Sequence, residues 1–337
     1  MKVFIGAGGT GGHVFPALAV AKHLIAEQHE VVWFGTKNGI EAKVVPAAGI
    51  VLNYISSKPL RGKGLVGFLY GCWGLLLSLW QIFVYFRQNK PDVVLVMGGY
   101  AAAALGIVAK LYRVKLVLHE QNAKAGLCNR LLFYLADKVA LGFAGAFKGE
   151  KVKVVGNPIR DNIKYTEKQK NDKLHCLVLG GSQGAEPLNQ KVSKAWLSMP
   201  KEKRPKLWHQ VGEKNQKAYL SLYSDDVQVS GFIDDMSQAY AWADVIIARS
   251  GAMTVSECLA VGKPVAWVPY PQAADNHQYF NALAFLEISR GWLWLQQELK
   301  QATLVEWWGA CMADYQDYPS QNIVNNSVKD LIALLAN

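Results

Sequence analysis

Two glycine-rich turns decide the fold that this sequence predicts: FIGAGGTGGH at residues 4–13 and LVLGGSQGA at residues 177–185. Each turn follows an apolar run that reads as a buried strand and precedes a run that reads as a helix. The first amides of a helix lack partners within the helix, and the helix dipole favours negative charge at that end. Each turn is therefore predicted to bind a phosphate group.

Strand and helix patterns alternate in both halves of the 337-residue chain. The first half opens with a strand at 3–6 and a helix over about 14–27, and the second half restarts with a strand at 175–179. Such alternation is typical of parallel α/β sheets. The predicted segments are a Rossmann-like doubly wound domain at 1–157, a linker at 158–173, a second such domain at 174–321, and a helix within 322–337 that could return to the first domain.

The composition fits a globular chain, with 51% hydrophobic and 18% charged residues. The five cysteines contain no CxxC pair, so the sequence indicates neither a disulfide framework nor a zinc site, and a cytoplasmic location is expected. The first residues read as a strand, without a charged stretch followed by a long apolar segment, so export is not expected. The positive charge is uneven, because residues 1–157 carry 18 Lys and Arg against 7 Asp and Glu. This charge suits an anionic partner surface.

An uncharged segment of 23 residues, 64–86, is flanked by Arg61 and Lys63 before it and by Arg87 and Lys90 after it. It is long enough to span a bilayer. However, the following run PDVVLVMGG reads as a strand of the same sheet as the first strand, and a sheet cannot close across a membrane. We therefore predict a crossover helix that presents an apolar face to an anionic membrane surface, with no nucleic-acid partner. The residues expected on that face are Trp73, Leu76, Trp80 and Phe83.

The first turn also satisfies the GxGxxG pattern, through Gly6, Gly8 and Gly11, so a nicotinamide-dependent oxidoreductase is one candidate function. A dinucleotide site needs an acidic residue at the end of the second strand to hold the ribose hydroxyls. Here that strand, VVWFGT, ends in Gly35 and Thr36. The dinucleotide interpretation therefore lacks its defining polar contact.

His13 directly follows the first glycine turn. A lone histidine is more often structural than catalytic, but this one stands at a predicted phosphate-binding turn. A helix N-terminus disfavours imidazolium, so we expect a neutral ring that can accept a proton at physiological pH. His13 is accordingly the candidate general base.

Eight stretches of the sequence form one specific set between the N-terminus and about Ala282: GAGGTGGHVFPALAVA, LRGKG, PDVVLVMGGYAA, LHEQNAKAGLCNR, VVGNPIR, LGGSQGA, FIDDM and ARSGAMTVSE. Through them the chain resembles the bacterial N-acetylglucosaminyltransferases of peptidoglycan synthesis, in glycosyltransferase family 28. The resemblance implies a GT-B fold, in which a deep cleft separates two Rossmann-like domains. It also implies inverting transfer of GlcNAc from UDP-GlcNAc to the C4 hydroxyl of undecaprenyl-pyrophosphoryl-MurNAc-pentapeptide (lipid I), which gives lipid II.

The resemblance also implies site residues in the first domain. The glycine turn would approach the donor and could cradle the acceptor's diphosphate through Thr10, Gly11 and Gly12. His13 would be the base, and Asn122 would reach the donor sugar. Glu120 could orient the acceptor or assist His13, or could serve only as a loop carboxylate.

Further residues are implied to bind UDP. Arg160 would contact the nucleotide, Ser182 would hold phosphate oxygens, and the backbone of Ile233 would read the uracil edge. Gln278 would bind GlcNAc hydroxyls, although the segment before it departs from the family pattern and His277 stands where a second glutamine often occurs.

Six consecutive residues begin a predicted helix after the strand DVIIARSG: Ala252, Met253, Thr254, Val255, Ser256 and Glu257. The first amides of this helix can face the α-phosphate of UDP. Glu257, one turn further, offers paired acceptors for the two ribose hydroxyls.

No cofactor is expected, because Asp234 and Asp235 are adjacent rather than a DxD pair, and a helper divalent cation stays open. The implied partners are UDP-GlcNAc, the lipid-linked acceptor and an anionic membrane, with other cell-wall synthesis proteins left open. The implied location is the cytoplasmic face of the bacterial inner membrane, as a peripheral protein. The alternatives are a non-hydrolysing UDP-GlcNAc 2-epimerase, a nicotinamide-dependent oxidoreductase and a membrane scaffold without catalysis.

Overall fold

Two parallel β-sheets organise the chain, and each is the centre of one compact unit. In the computed structural model, unit 1 comprises Met1–Arg160 and Asn325–Asn337, and unit 2 comprises Asp161–Val324. The structure describes residues 1–57, 64–165, 167, 171–181, 184–223, 226–314 and 322–336, with the backbone alone for 64–69.

Unit 1 alternates strands and helices. Its strands are β1 (Lys2–Ala7), β2 (Glu30–Gly35), β3 (Val51–Tyr54), β4 (Val93–Gly98), β5 (Lys115–Glu120), β6 (Lys138–Leu141) and β7 (Val152–Val154). Its first five helices are α1 (Gly11–Ala26), α2 (Glu41–Ala47), α3 (Gly64–Gln88), α4 (Tyr100–Leu111) and α5 (Leu127–Phe133). All neighbouring strands are parallel, in the order β3-β2-β1-β4-β5-β6-β7. Successive strands are added toward one edge of the sheet from β1 to β3 and toward the other edge from β4 to β7, so the order of addition reverses between β1 and β4. Ligands of such sheets bind at the carboxyl ends of the strands beside this point.

Unit 2 repeats the same plan. Its strands are β8 (His175–Leu179), β9 (Lys206–Gln210), β10 (Val227–Ser230), β11 (Val245–Ala248), β12 (Val265–Trp267) and β13 (Gly291–Leu293). Its helices are α6 (Glu186–Ser198), α7 (Gln216–Tyr223), α8 (Met236–Trp242), α9 (Ala252–Val261), α10 (His277–Leu286) and α11 (Gln301–Asp314). The strands are parallel in the order β10-β9-β8-β11-β12-β13, so the reversal lies between β8 and β11. The predicted fold class, two Rossmann-like doubly wound sheets, is confirmed.

The sheets are buried on both faces because helices cover both sides. In unit 1 one face of the sheet contributes Phe4 and Val96 to a cluster with α3 and α4, and the other contributes Ile5 and Leu95 to a cluster with α1. This is why the strands read as continuous apolar runs rather than as alternating patterns.

The last helix, α12 (Ser327–Ala336), packs in unit 1. Its Leu331 and Leu335 are buried in the cluster that contains the inner face of α1. The ammonium of Lys115 donates hydrogen bonds to the carbonyl oxygens of Leu334 (2.8 Å) and Leu335 (2.9 Å). A cation at the C-terminal end of a helix satisfies carbonyls that lack helical partners and matches the helix dipole.

Helix α1 begins at Gly11, three residues before the expected start at residue 14. The expectation followed the apolar period, to which glycine contributes nothing, whereas Gly11 and Gly12 take up the helical backbone. As a result His13 lies in the first turn of the helix. The elements α2 and β3 were not predicted, because their sequences are short and their apolar pattern is weak.

Helix α3 has two faces of opposite character. Its inner face buries Ile82 and Phe86 against Phe4 and Phe34 of the sheet, as expected for a crossover helix. The residues predicted on the outer face are exposed: Trp73 (63%), Leu76 (58%), Trp80 (65%) and Phe83 (41%). In the described part of the chain, none of the helices meets the combined length and hydropathy that crossing a bilayer requires.

Candidate functional site

The first glycine turn ends at the N-terminus of helix α1. Thr10 is the N-cap of α1 in an extended conformation, and its side chain does not accept a hydrogen bond from the helix. The first turn of α1 contains no acidic residue. Thr10 is exposed, and Gly11 and Gly12 are half-buried. The turn therefore offers backbone N–H groups and the positive end of a helix dipole to an anion, as the sequence predicted.

The imidazole of His13 lies against the glycine that ends β4. A Cβ atom on Gly98 would lie 2.7 Å from His13 Cδ2 and 2.8 Å from Nε2, so only glycine leaves room for the ring. Gly98 also has φ +107°, which strongly favours glycine. On its other side, Nδ1 of His13 lies 3.4 Å from Thr10 Oγ1. His13 is half-buried at the carboxyl edge of the sheet. Parallel sheets of this kind bind their ligands at that edge, so the position suits a candidate general base.

Glu120 supports the loop that follows β5. Its carboxylate is almost fully buried, and Oε1 accepts hydrogen bonds from the backbone N–H (2.9 Å) and side-chain amide (3.1 Å) of Asn122. Oε2 accepts from Gly126 N–H (3.1 Å) and from the side-chain amide of Asn129 (2.9 Å). Of the three roles left open for Glu120, this geometry favours the loop carboxylate, because both of its oxygens accept hydrogen bonds from the loop and one of them orients Asn122.

Arg160 lies near α1 within unit 1. Its guanidinium is 5.4 Å from the ring centroid of Phe15 on that helix, a cation–π arrangement that fixes the side chain. Because Phe15 follows His13 by two residues, this contact brings a positive charge to the helix that carries the candidate base. A guanidinium in this position suits phosphate oxygens.

In unit 2 the six predicted residues open helix α9. The N-cap is Gly251, no side chain caps the helix, and its first turn contains no acidic residue. Ala252, Val255 and Ser256 are buried, and the hydroxyl of Ser256 donates to the carbonyl oxygen of Ala252 (2.9 Å). Met253 and Thr254 are half-buried. The first amides of α9 therefore meet the requirement for a phosphate site at a helix N-terminus.

Glu257 is oriented by a tyrosine. Tyr240 on α8 donates its hydroxyl to Glu257 Oε2 at 2.9 Å. Burial, together with the negative Glu257, raises the pKa of Tyr240 well above its ordinary value, so this hydroxyl stays a donor. Glu257 is 8% exposed, which leaves it in a largely desolvated setting where a hydrogen bond to a ribose hydroxyl is strengthened.

The structure describes three more predicted residues of unit 2 and leaves some predicted residues undescribed. Ile233 has a buried side chain, so only its backbone can read a nucleobase. The side-chain oxygen of Gln278 accepts from the backbone N–H of Tyr270 (2.9 Å), and Nδ1 of His277 lies 2.8 Å from the carbonyl oxygen of Ala274. Ser182, and the basic residues Arg61 and Lys63 before α3, lie outside the described residues.

Arg249 at the end of β11 is a supporting residue that sequence reasoning missed. Its guanidinium donates to the carbonyl oxygens of Val268 (2.8 Å) and Pro269 (3.0 Å) and to the side chain of Gln296. Burial lowers its pKa to about 10, which still leaves it charged at neutral pH. The bonds fix the loop that leads from β12 to Gln278. Its place in the motif ARSG was the available signal.

One buried histidine in each unit is neutral and structural. In unit 1, Nε2 of His119 lies 3.0 Å from the carbonyl oxygen of Gly156, and burial lowers its pKa to about 4. In unit 2, His209 contacts the hydroxyl of Tyr223 (2.9 Å) and the side chain of Asn189 (3.2 Å), and burial lowers its pKa to about 3. Neither ring is exposed, so neither competes with His13 as a base.

The described residues contain no group of three or more His, Cys, Asp and Glu placed to hold a metal ion. Asp235 has a different role, because its Oδ1 accepts from the backbone N–H groups of Ser237 (3.0 Å) and Gln238 (3.2 Å) as the N-cap of α8.

Comparisons with known proteins show the family to which the chain belongs. The N-terminal domain model of glycosyltransferase family 28 matches residues 3–141, and the C-terminal domain model matches residues 175–335. The UDP-N-acetylglucosamine--N-acetylmuramyl-(pentapeptide) pyrophosphoryl-undecaprenol N-acetylglucosamine transferase of Chromohalobacter salexigens is 42% identical over 315 residues, which cover 90% of this chain and 86% of the relative.

The solved structures that match this chain include a member of the same family and more distant proteins that share only the fold. The crystal structure of Acinetobacter baumannii MurG matches with a TM-score of 0.83 at 31% identity and covers 99% of both chains. The UDP-GlcNAc 2-epimerase of Neisseria meningitidis matches with a TM-score of 0.67 at 13% identity over the whole of both chains, which shows a shared fold alone. From the domain matches and the 42% identity over nine-tenths of its length, the chain belongs to glycosyltransferase family 28.

Proposed function

We propose that this protein transfers GlcNAc from UDP-GlcNAc to the C4 hydroxyl of undecaprenyl-pyrophosphoryl-MurNAc-pentapeptide, with inversion at the anomeric carbon. The product is lipid II, the lipid-linked precursor of peptidoglycan. Family membership supports the substrate class. The observation that carries the mechanism is the placement of His13, which lies against Gly98 beside an uncapped helix N-terminus.

The transfer requires a base, an aligned sugar and a site for the leaving group. In our proposal His13 accepts the proton of the C4 hydroxyl while the oxygen attacks the anomeric carbon, and the bond to UDP breaks. The negative charge that develops on UDP is stabilised by the first amides of α9. Asn122, held by Glu120, contacts the donor sugar, and Glu257, held by Tyr240, accepts the ribose hydroxyls.

In the same proposal, other residues bind the remaining parts of the two substrates. The turn formed by Thr10, Gly11 and Gly12 cradles the acceptor diphosphate, and Arg160 contributes positive charge. The backbone of Ile233 reads the uracil edge, and Gln278 binds GlcNAc hydroxyls. No resident cofactor takes part in this scheme.

We also propose that the protein is peripheral at the cytoplasmic face of the bacterial inner membrane. The exposed apolar face of α3, formed by Trp73, Leu76, Trp80 and Phe83, supports this location, because indole and phenyl rings partition into the interfacial region of a bilayer. Exposed Arg87 and Lys90 follow that face and suit an anionic leaflet.

Product analysis tests the reaction. The protein is incubated with UDP-GlcNAc labelled in the sugar and with a lipid-linked MurNAc-pentapeptide acceptor. We expect label in the lipid fraction as a β-1,4-linked disaccharide. Formation of UDP-ManNAc without the lipid acceptor would instead indicate an epimerase, and binding of NADH in place of UDP-GlcNAc would indicate an oxidoreductase.

Vesicle sedimentation tests the location. We expect the triple variant Trp73→Ser, Trp80→Ser, Phe83→Ser to lose binding to vesicles that contain phosphatidylglycerol. The matched control is Leu220→Ser with Leu222→Ser, which removes two exposed apolar side chains from α7 of unit 2. Equal vesicle binding by the triple variant and the wild type would contradict the proposed membrane face.

A further inference from the structure

A buried carboxylate joins the first glycine turn to the loop that follows β2. Glu41, the first residue of α2, is fully buried. Its Oε2 accepts a hydrogen bond from the backbone N–H of Gly9 (3.2 Å). Its Oε1 accepts from the backbone N–H (3.0 Å) and the hydroxyl (2.8 Å) of Thr36. The side chain thus joins Gly9 and Thr36, which are 27 residues apart in sequence.

The surrounding backbone is shaped to admit this carboxylate. A Cβ atom on Gly8 would lie 2.7 Å from Glu41 Oε1, and one on Gly35 would lie 2.7 Å from Cγ. A Cβ atom on Gly39 would collide with Oε2. Glycine at these three positions leaves the space that the Glu41 side chain fills. The stretch GTKNGIE and the first glycine turn are therefore packed together around this carboxylate.

Stability alone does not account for a carboxylate at this position. Among the described residues Glu41 makes no ion pair, and all its hydrogen bonds come from neutral donors. Burying a charge without a charged partner is expensive, and an apolar side chain often stabilises a fold better. A carboxylate does, however, hold the Gly9 N–H in one direction, with Gly9 at φ +90°. The next residues, Thr10 to Gly12, then follow with their amides at the start of α1.

This geometry also explains why the edge does not bind a dinucleotide. The acidic residue that would hold ribose hydroxyls in a dinucleotide site must face the ligand from the end of the second strand. The carboxylate nearest that edge is Glu41, which turns inward to Thr36 and Gly9 and is fully buried.

We propose that Glu41 is a positioning residue for the acceptor: it fixes the first glycine turn, and through it the amides that hold the acceptor diphosphate and the start of the helix that carries His13. This inference rests on the proposed function, in which that turn contacts the acceptor. The donor site on α9 is in the other unit and should not depend on Glu41.

Steady-state kinetics with Glu41→Gln test the proposal. Glutamine keeps the volume of the side chain but has one acceptor oxygen, so it leaves one of the two backbone N–H groups, of Gly9 or Thr36, without an acceptor. We expect the KM for the lipid acceptor to rise about tenfold, which corresponds to about 1.4 kcal/mol and lies within the cost of leaving one buried donor unpaired, with the Kd for UDP unchanged. The control is Glu30→Gln at the opposite end of β2, whose exposed carboxylate pairs with Lys2. It should leave both constants unchanged.

Two outcomes would overturn the proposal. The first is an acceptor KM for Glu41→Gln equal to that of the wild type, even if kcat falls, because a merely structural role lowers the active fraction and leaves KM alone. The second is unchanged amide hydrogen exchange at Gly9 to Gly12 in the variant, which would show that the carboxylate does not hold the turn. Absence of GlcNAc transfer by the wild type would instead contradict the proposed function, and the exchange measurement would still decide the contact.

Discussion

Helices α1 and α6 occupy the same place in the two units, directly after the first strand of each sheet, yet their first turns carry opposite chemistry. The first turn of α1 contains Gly11, Gly12 and His13 and no acidic residue. The first turn of α6 contains Glu186 and a proline. Glu186 Oε1 accepts from Tyr219 (3.1 Å) and Gln190 (2.9 Å), so the carboxylate is held there.

The difference shows that strand order does not by itself decide where an anion binds. A carboxylate at a helix N-terminus partly neutralises the dipole and repels phosphate. In unit 2, helix α9 follows the fourth strand in sequence and has an uncapped N-terminus without an acidic first turn, and Glu257 lies one turn further along it. We infer that the first helix serves the ligand in unit 1 and that α9 carries the larger share in unit 2.

The largest expected effect comes from removing the histidine that distinguishes α1. His13→Ala should lower GlcNAc transfer by about a hundredfold or more, the usual contribution of a general base, and should leave UDP binding intact. Transfer to the lipid acceptor and calorimetric titration with UDP measure the two effects. The control is His23→Ala in the last turn of the same helix, which should transfer at the wild-type rate. Wild-type turnover by His13→Ala would remove this residue from the mechanism.

The next effect tests how the base is positioned. Gly98→Ala places a methyl group against the His13 ring and strains a backbone at φ +107°, so we expect transfer to fall by about tenfold or more as the ring moves. Gly49→Ala is the matched control, because Gly49 has φ +73° with open space around its Cα. It should lower the free energy of unfolding by about 1–2 kcal/mol without changing transfer. Equal loss of transfer in both variants would mean that backbone strain alone, not the His13 contact, is responsible.

The two buried histidines predict a pH dependence of stability that both units share. The pKa of His119 is lowered to about 4 and that of His209 to about 3, against an ordinary value of 6.5. The unfolded chain therefore binds these protons first as the pH falls. The stabilisation is complete above pH 6.5 and is lost toward the folded pKa values, by about 1.4 kcal/mol per pH unit for each histidine.

Urea unfolding between pH 7 and pH 4.5 measures this slope. His119→Gln and His209→Gln should each flatten it, because each removes one proton-binding difference between the folded and unfolded states. A slope that neither substitution changes would mean that other groups cause the acid sensitivity.

The smallest expected effect comes from the acidic first turn of α6. Glu186→Gln keeps an oxygen for Tyr219 and Gln190 but removes the negative charge from the helix N-terminus. UDP affinity should rise by about two- to fivefold, the size of a helix-dipole interaction. A fall in affinity would mean that Glu186 helps to bind the nucleotide and would contradict the comparison of α1 with α6.

Much of the fold was predictable because parallel strands covered on both faces are long apolar runs, and VFIGA, VVLVMG and HCLVL stand out without any knowledge of contacts. The helix start at Gly11 was not predictable from the apolar period, since glycines carry no side chain. The strand Val51–Tyr54 is a half-exposed edge strand with a weak pattern, so it was missed.

The geometry of the candidate site was predictable only in part. The sequence places His13 and the start of α9 at helix N-termini, because each follows a strand and a glycine along the chain. The contacts of Gly98 with His13 and of Glu41 with Gly9 join segments 85 and 32 residues apart, and no local pattern connects them. In sequence, Glu41 lies six residues past the end of the second strand, whereas α2 brings its carboxylate back to that edge.

The most direct test of the account is a crystal structure with UDP-GlcNAc bound. We expect the α-phosphate within about 3 Å of the first amides of α9 and the ribose hydroxyls within hydrogen-bond distance of Glu257. The turn at Thr10 to His13 should remain open for the acceptor diphosphate. A uridine diphosphate seated on that turn, with α9 unoccupied, would contradict the assignment of the donor to unit 2 and of the acceptor to unit 1.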